Sequence, residues 1–514
     1  MDGTTPDLGG LARLKERYGF TLFADEAHSL IGVGSTGKGC VERWNETDSQ
    51  QPVPPDLIDI RVATLSKALG TTGGVVCGLS AFENRIRSRL QVMTRSGLEV
   101  VTTTACVKTI LTLSRTSLVS RNLLRLQAMA IFCRRCFQQA GIYVYGGYDS
   151  PILPLFAGRP TRATKLSQVL RQFGIIATPV SAPAVPFWES RVRMCLSAAF
   201  EDEVVHELVR AVVQAAGIVG LCKTTSNVAE AFSHHDIGPT QQGSDQIARS
   251  TKSVKKLIMQ CAAANNAKPI VSQTCSVGCA VLRSYGLGSG GARWIVGTTD
   301  LHLRLERSIS EIFQRRECLT YPDAYVGLMS TVAALCRPVD GFNGHDLYVK
   351  PNAAPAIEDG IRVAPRRRCP TLKHYRSLKL LSQQLRHCRP SGYVTIVVDR
   401  DELPDIAAMS EMFTHPGSPC RTSNTTILVY DDSSITDLAR WSCSMKSIAA
   451  RLLMYGSFHR EFQSPGSFLV GDAVLIEELR YTSRGYMFAT SQEPYITAMI
   501  NEELVRSKTA CFSE

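Results

Sequence analysis

The chain has 514 residues, enough for two or three domains with sizeable cores. Apolar residues make up 44% and charged residues 20%, the balance of an ordinary globular protein rather than a disordered or fibrous one. The net charge of +11 comes from interspersed residues of both signs, which argues against nucleic-acid binding and is compatible with anionic ligands or an anionic surface.

Taken in chain order, residues 8–18 have helical spacing through Leu8, Leu11 and Leu14. An apolar strand at 20–24 follows. The polar, proline-rich stretch 44–56 predicts a surface loop, and 58–64 and 74–79 predict strands. Residues 81–93 and 105–138 read as helices. From Gly141 the pattern changes to short strands at 142–145, 152–155 and 193–197, with helices near 161–173 and 202–216. This order predicts a large domain over 1–138 and a small α+β domain over 139–220. Residues 221–265 lose periodicity and predict a linker, with a helix over Val254–Ala264. A second large domain follows over 266–507. No signal peptide and no apolar run long enough to span a membrane is present in this sequence.

The 17 cysteines are scattered. Cys133 and Cys136 form a C-x-x-C pair, and Cys275 and Cys279 are four apart, but no second ligand pair has zinc spacing. We therefore expect reduced thiols, no metal and a reducing compartment.

The chemistry-bearing residues cluster early. Strand Thr21-Leu22-Phe23-Ala24 leads into Asp25-Glu26-Ala27-His28-Ser29, and well downstream comes Thr64-Leu65-Ser66-Lys67-Ala68-Leu69-Gly70. A lysine for a Schiff base, a carboxylate for a pyridine nitrogen and hydroxyls for a phosphate are what pyridoxal 5′-phosphate requires. The second half repeats this in weakened form. Ile427-Leu428-Val429-Tyr430-Asp431-Asp432-Ser433-Ser434 echoes the first strand and loop, and Gly456 to Phe468 echoes the lysine loop. There Arg460 stands where Lys67 stands, and Ser434 where His28 stands. Arginine keeps the charge but stays protonated and forms no Schiff base, so the second copy cannot run this chemistry.

On these motifs the chain resembles the α-oxoamine synthases, pyridoxal phosphate enzymes that include serine palmitoyltransferase and 8-amino-7-oxononanoate synthase. Further matching residues are Gly32-Val33-Gly34, Gly37-Lys38-Gly39, Arg191-Val192-Arg193, the run Tyr285 to Arg293, Gly471 and Phe488-Ala489-Thr490-Ser491. The resemblance covers most of 1–220 and 280–500. It implies an α/β, fold-type I pyridoxal phosphate transferase: a mostly parallel sheet with helices on both faces, plus a small α+β domain. It also implies an incomplete first copy followed by a degenerate second one. The first copy opens in mid-domain, without the family's glycine-rich opening and ring-stacking histidine. The second reads Ala353-Ala354-Pro355-Ala356 where that histidine would fall. Met1 as an internal methionine of a longer product is one reading of this opening.

The resemblance implies these roles. Lys67 carries the cofactor and shuttles the α-proton. Asp25 pairs with the pyridinium. His28 bonds the phenolic oxygen or the substrate carbonyl. Thr64 and Ser66 donate to the phosphate, with Thr490 reaching it from another domain. Arg193, ahead of Arg191, binds the substrate carboxylate. The implied reaction joins an amino acid, serine favoured, to an acyl-CoA, with decarboxylation to a 2-amino ketone, as in sphingolipid biosynthesis. An inactive partner or regulator, and an 8-amino-7-oxononanoate synthase-like activity, are the alternatives. The implied assembly is a homodimer or an intrachain pseudo-dimer, in the cytoplasm or, with a membrane-associated partner, at the cytosolic face of the endoplasmic reticulum.

Overall fold

A computed structural model describes residues 2–47, 52–78, 103, 106–111, 117–148, 150–182, 184–222, 271–339, 341, 344–364, 370–385, 392–399, 424–445 and 451–511. The predicted helices at 81–93 and Val254–Ala264, and nearly all of the predicted linker, lie outside these residues. The described residues fall into two compact units: the first runs to Cys222 except for Gly70–Thr72, which group with the second, and the second otherwise begins at Val271.

In the first unit, helix α1 (Leu8–Tyr18) starts on the Asp7 side chain and stops at Gly19, whose φ of 62° is left-handed. Strand β1 (Phe23–Asp25) pairs in parallel with β2 (Ile60–Thr64), and β2 pairs antiparallel with β3 (Gly74–Gly78). The strand expected from residue 20 begins at Phe23. Leu22 just before it is tied to Asp59 instead, donating its N–H to that carboxylate at 2.7 Å. The expected loop from residue 44 is a helix as far as Thr47. α2 (Cys40–Thr47) buries Val41 and packs Trp44 against the cluster of Leu8, Val53 and Leu57.

Helix α3 (Leu118–Gln139) covers the end of the long helix expected from residue 105, which contains an undescribed stretch at 112–116. The small sheet has the order β4 (Ile152–Gly158), β6 (Ser190–Cys195), β5 (Thr178–Val180), all antiparallel. Its apolar face buries Leu153, Leu155, Val192 and Met194 against α3, α4 (Pro160–Gln172) and α5 (Asp202–Ile218). The strand expected at 142–145 is a single bridge between Val144 and Leu155, because left-handed Gly141 and Gly146 flank it and turn the backbone away. Cys133 and Cys136 lie one turn apart on α3 with both thiols free, and burial pushes each up to about 12.

The second unit holds the mostly parallel sheet. Its seven strands run in the order β7 (Glu317–Tyr321), β13 (Ser467–Gly471), β12 (Arg451–Ser457), β11 (Thr425–Asp431), β10 (Tyr393–Asp399), β8 (His345–Val349), β9 (Thr371–His374). Neighbours from β12 to β9 are parallel, and β13 is antiparallel to both its neighbours. Ile427, Leu428 and Val429 in β11 are all fully buried, as befits a strand covered on both faces. Helices α6 (Val271–Tyr285), α7 (Asp300–Ile312), α8 (Ala324–Leu335), α9 (Pro355–Val363), α10 (Leu378–Leu385), α11 (Ile435–Ser444), α12 (Ala473–Thr482) and α13 (Pro494–Cys511) complete it. Among the described residues no helix is long and apolar enough to cross a membrane.

Candidate active site

The site of the first unit is built where β1 and β2 end side by side. Asp25 closes β1, and its Oδ1 accepts the Ala27 N–H at 2.9 Å, which bends the chain out of the sheet. The Ser29 and Leu30 amides then donate to the Glu26 carbonyl, so residues 26–30 form a compact turn carrying His28. The neighbouring strand β2 leaves the sheet through a nine-residue hairpin loop, closed by Leu65 N–H donating to the Gly73 carbonyl at 3.0 Å. Gly73 has a φ of 104°, a conformation that glycine adopts at little steric cost. Lys67 projects from this loop. Thr64 and Ser66 share a 2.7 Å hydroxyl contact, and the Ser66 N–H donates to Thr64 Oγ1 at 3.2 Å.

A third element completes the cluster. Alternation along β6 puts Val192 and Met194 into the small-domain core and Arg191 and Arg193 on the opposite face. Arg193 reaches His28, with one guanidinium nitrogen 3.3 Å from Nδ1 and 3.4 Å from Nε2. One donor equidistant from both ring nitrogens cannot align well with either, so this is a loose contact rather than a locked hydrogen bond. The Arg193 Nε is buried and has no hydrogen-bond partner among the described residues. Arg191 is different. It is buried, paired with Asp2 at 2.7 Å and Glu189 at 3.0 Å, and lies 4.0 Å over the Tyr145 ring. Sequence alone left these two arginines as rivals, and the structure commits Arg191 to internal partners.

The electrostatics couple these groups. The Lys67 ammonium is partly desolvated, which lowers its pKa. Asp25 attracts it and opposes that shift, while Arg193 repels it and adds to it. Lys67 therefore reaches its neutral, nucleophilic form at lower pH than a free lysine. Burial first, then the charges of Lys67 and Arg193, push His28 down to about 3. The imidazole is thus neutral across the physiological range. Below about 6.5 the unfolded chain binds a proton that the folded chain resists. The stability tied to neutral His28 is consequently lost as pH falls from 6.5 toward about 3. In histidine-selective NMR the His28 ring should stay flat from about pH 5 to 8, where a free imidazole titrates. A transition near pH 6.5 would contradict this environment.

Sequence reading assigned no role to Glu26, which is buried inside the turn. Its carboxylate accepts from the Ser29 hydroxyl at 2.5 Å and the Cys40 N–H at 3.1 Å, and lies 3.5 Å from Arg61. The signal was an acid directly after Asp25, which the sequence could not distinguish from a solvated one. Thr490 lies in the second unit, where it bridges to Ala292.

The second unit repeats the hairpin closely. Phe458 N–H donates to the Gly466 carbonyl at 3.1 Å, and Gly466 has a φ of 102°. His459 N–H donates to Ser457 Oγ at 3.1 Å, as Ser66 does to Thr64. At the end of β11 the Ser433 N–H donates to Asp431 Oδ1 at 2.8 Å, as Ala27 does to Asp25. In this shared frame Arg460 falls at the place of Lys67. Ser434 caps α11 by accepting the Asp437 N–H, and Ala354 stands at the N-cap of α9. Glu461, next to Arg460, accepts the Ile435 N–H at 2.7 Å and a hydroxyl donation from Thr436 at 3.3 Å. Ala68 holds the corresponding place in the first hairpin and has no side-chain acceptor.

Residues 1–212 match the family model for aminotransferase class I and II. Serine palmitoyltransferase 2 of Saccharomyces cerevisiae is 32% identical over 41% of this chain and 37% of its own length. The chain thus spans little more than a third of that relative. Aminotransferase FUM8 of Gibberella moniliformis is 23% identical over 97% of this chain and 98% of its own length. Aminotransferase ALT4 of Alternaria alternata is 22% identical over 95% of this chain and 66% of its own length.

The cofactor of this family is pyridoxal 5′-phosphate, and the residues present fit it. Lys67 supplies an amine of lowered pKa, and Asp25 a carboxylate at the end of the adjoining strand. Arg193 offers a buried donor without a partner among the described residues. Two cations facing one carboxylate leave the cluster short of negative charge, which an anionic ligand would supply. Residues 1–212 are thus similar to the aminotransferase class I and II family, whose cofactor the site residues fit.

Proposed function

We propose that the chain is a pyridoxal phosphate-dependent C-acyltransferase that joins an amino acid, serine favoured, to an acyl-CoA and releases carbon dioxide, leaving a 2-amino ketone. The observation that carries this reading is the meeting of Lys67, Asp25, His28 and Arg193 in one unit. The cofactor, when bound, supplies an electron sink that acidifies the substrate α-carbon. Lys67 removes the proton from that carbon and returns one at the end. Asp25 holds a proton on the ring nitrogen. Neutral His28 accepts or donates a hydrogen bond at the phenolic or carbonyl oxygen. Arg193 orients the substrate carboxylate, using the donor that has no internal partner. Thr64 and Ser66 donate to the phosphate. The new carbon–carbon bond forms at the thioester carbonyl as the CoA thiolate leaves.

The second unit is read as a lysine-less copy, which supports a pairing of active and inactive halves within the chain or across a homodimer. A membrane-associated partner and work at the face of the endoplasmic reticulum belong to the same reading. One observation favours a second reading. The near full-length match to an aminotransferase supports amino-group transfer to a keto compound instead. Incubation with serine, glycine or alanine and palmitoyl-CoA separates the two. Release of free CoA thiol together with labelled carbon dioxide supports acyl transfer. Keto acid formation with the carboxylate retained supports amino transfer. Neither product, from protein that binds the cofactor, supports a regulatory partner.

A further inference from the structure

Glu26 is held at every polar group it owns. Its N–H donates to the Val62 carbonyl at 2.7 Å, carrying the β1–β2 pairing one residue past Asp25. Its carbonyl accepts from the Ser29 and Leu30 amides at 3.1 and 3.0 Å. Its carboxylate gathers three more segments: Ser29 in the turn, Cys40 at the start of α2, and Arg61 on β2. Arg61 is fixed in turn by donating to the Pro55 carbonyl at 2.6 Å. The packing around the carboxylate is tight. A Cβ on Gly39 would fall 2.0 Å from Glu26 Oε2, and Gly39 also has a φ of 94°. So the carboxylate ties the turn that follows Asp25 and bears His28 to Arg61 on β2, the strand that ends at Thr64 and leads into the Lys67 loop. Among the described residues the partners of this carboxylate are Ser29, Cys40 and Arg61, not Lys67 or Arg193, so it is not one of the reacting groups.

We propose that Glu26 is a positioning residue: its carboxylate fixes the Asp25–His28 turn against the Lys67 hairpin, so that cofactor binding and the protonation of the Lys67 linkage depend on it. This rests on the reading of the first unit as a pyridoxal phosphate site. The test compares wild type with Glu26→Gln and Glu26→Ala in the full chain, using pyridoxal phosphate as the probe. Three quantities are measured: the cofactor dissociation constant, the pH at which its visible band changes form, and the thermal midpoint of the cofactor-free protein. Glu26→Ala is expected to weaken cofactor binding at least tenfold and to move the band's titration. Glu26→Gln, which keeps the volume and one acceptor, should recover part of the affinity while the titration stays displaced, because the negative charge facing Arg61 is gone. The proposal is overturned if both variants bind with wild-type affinity and titrate at the wild-type pH. It is also overturned if they lower only the thermal midpoint, or fail to fold, since the role is then purely structural. If wild-type protein shows no band that borohydride fixes at Lys67, the active-site reading itself fails and takes this one with it. A wild-type band with unaltered variants removes the positioning role alone.

Discussion

Lys67→Ala is expected to give a folded protein that no longer captures pyridoxal phosphate covalently and whose turnover falls by roughly three orders of magnitude or more. The loss is specific because the residue is exposed and its side chain makes no hydrogen bond among the described residues, so its removal should change stability by less than about 0.5 kcal/mol. Lys67→Arg should fare no better. It keeps the cation near Asp25 but has no amine that can lose its proton. The measurement is the visible spectrum before and after borohydride, followed by identification of the modified peptide. Labelling at another lysine, or an unaltered spectrum in Lys67→Ala, would remove the basis of the proposed chemistry.

The two arginines of β6 should separate sharply. Arg193→Ala is expected to raise the amino acid KM by about ten- to a hundredfold, the range of a lost charge-assisted contact of about 1.5–3 kcal/mol. Its folding should be little affected, since among the described residues its guanidinium has only the loose His28 contact. Arg191→Ala should do the reverse. It removes a buried cation from Asp2, Glu189 and the Tyr145 ring, at a cost of about 3 kcal/mol in stability. Its acceptors are partly solvated, which places the cost at the lower end of the range for broken buried pairs. Urea midpoints and steady-state kinetics on the two variants settle the assignment. A KM effect in Arg191→Ala without destabilisation would reverse the roles.

Much of this was legible because residue type and chemistry coincide. The Asp25 turn, the Lys67 hairpin and its Arg460 counterpart could be matched by residue type and order, since each is a strand end followed by small and polar residues, although the spacing from acid to base differs between the two halves. The resemblance puts Arg193 ahead of Arg191, but residue type and spacing alone do not separate them. Both lie on one face of the strand, and what distinguishes them is Asp2, far away in sequence. Glu26 was missed for the same reason, because its partners Cys40 and Arg61 come from other segments. Helix α2 escaped notice because its apolar contacts are few, and Val41 and Trp44 acquire meaning only against Leu8 and Leu57. The lost strand at 142–145 shows that β-propensity yields to flanking glycines that redirect the backbone.

The tie from Glu461 to the start of α11 has a wider meaning. A loop that receives a guest must keep donors and acceptors uncommitted between visits, and it stays less stable for that reason. Once the guest is given up, the same groups are free to bond with their own surroundings. Ancestral machinery can then persist as masonry, its outline intact and its openings bricked in. Under the proposed reading of the second unit as a copy without the cofactor lysine, selection on it acts on firmness rather than turnover. Substitutions there should register in melting behaviour long before they register in product.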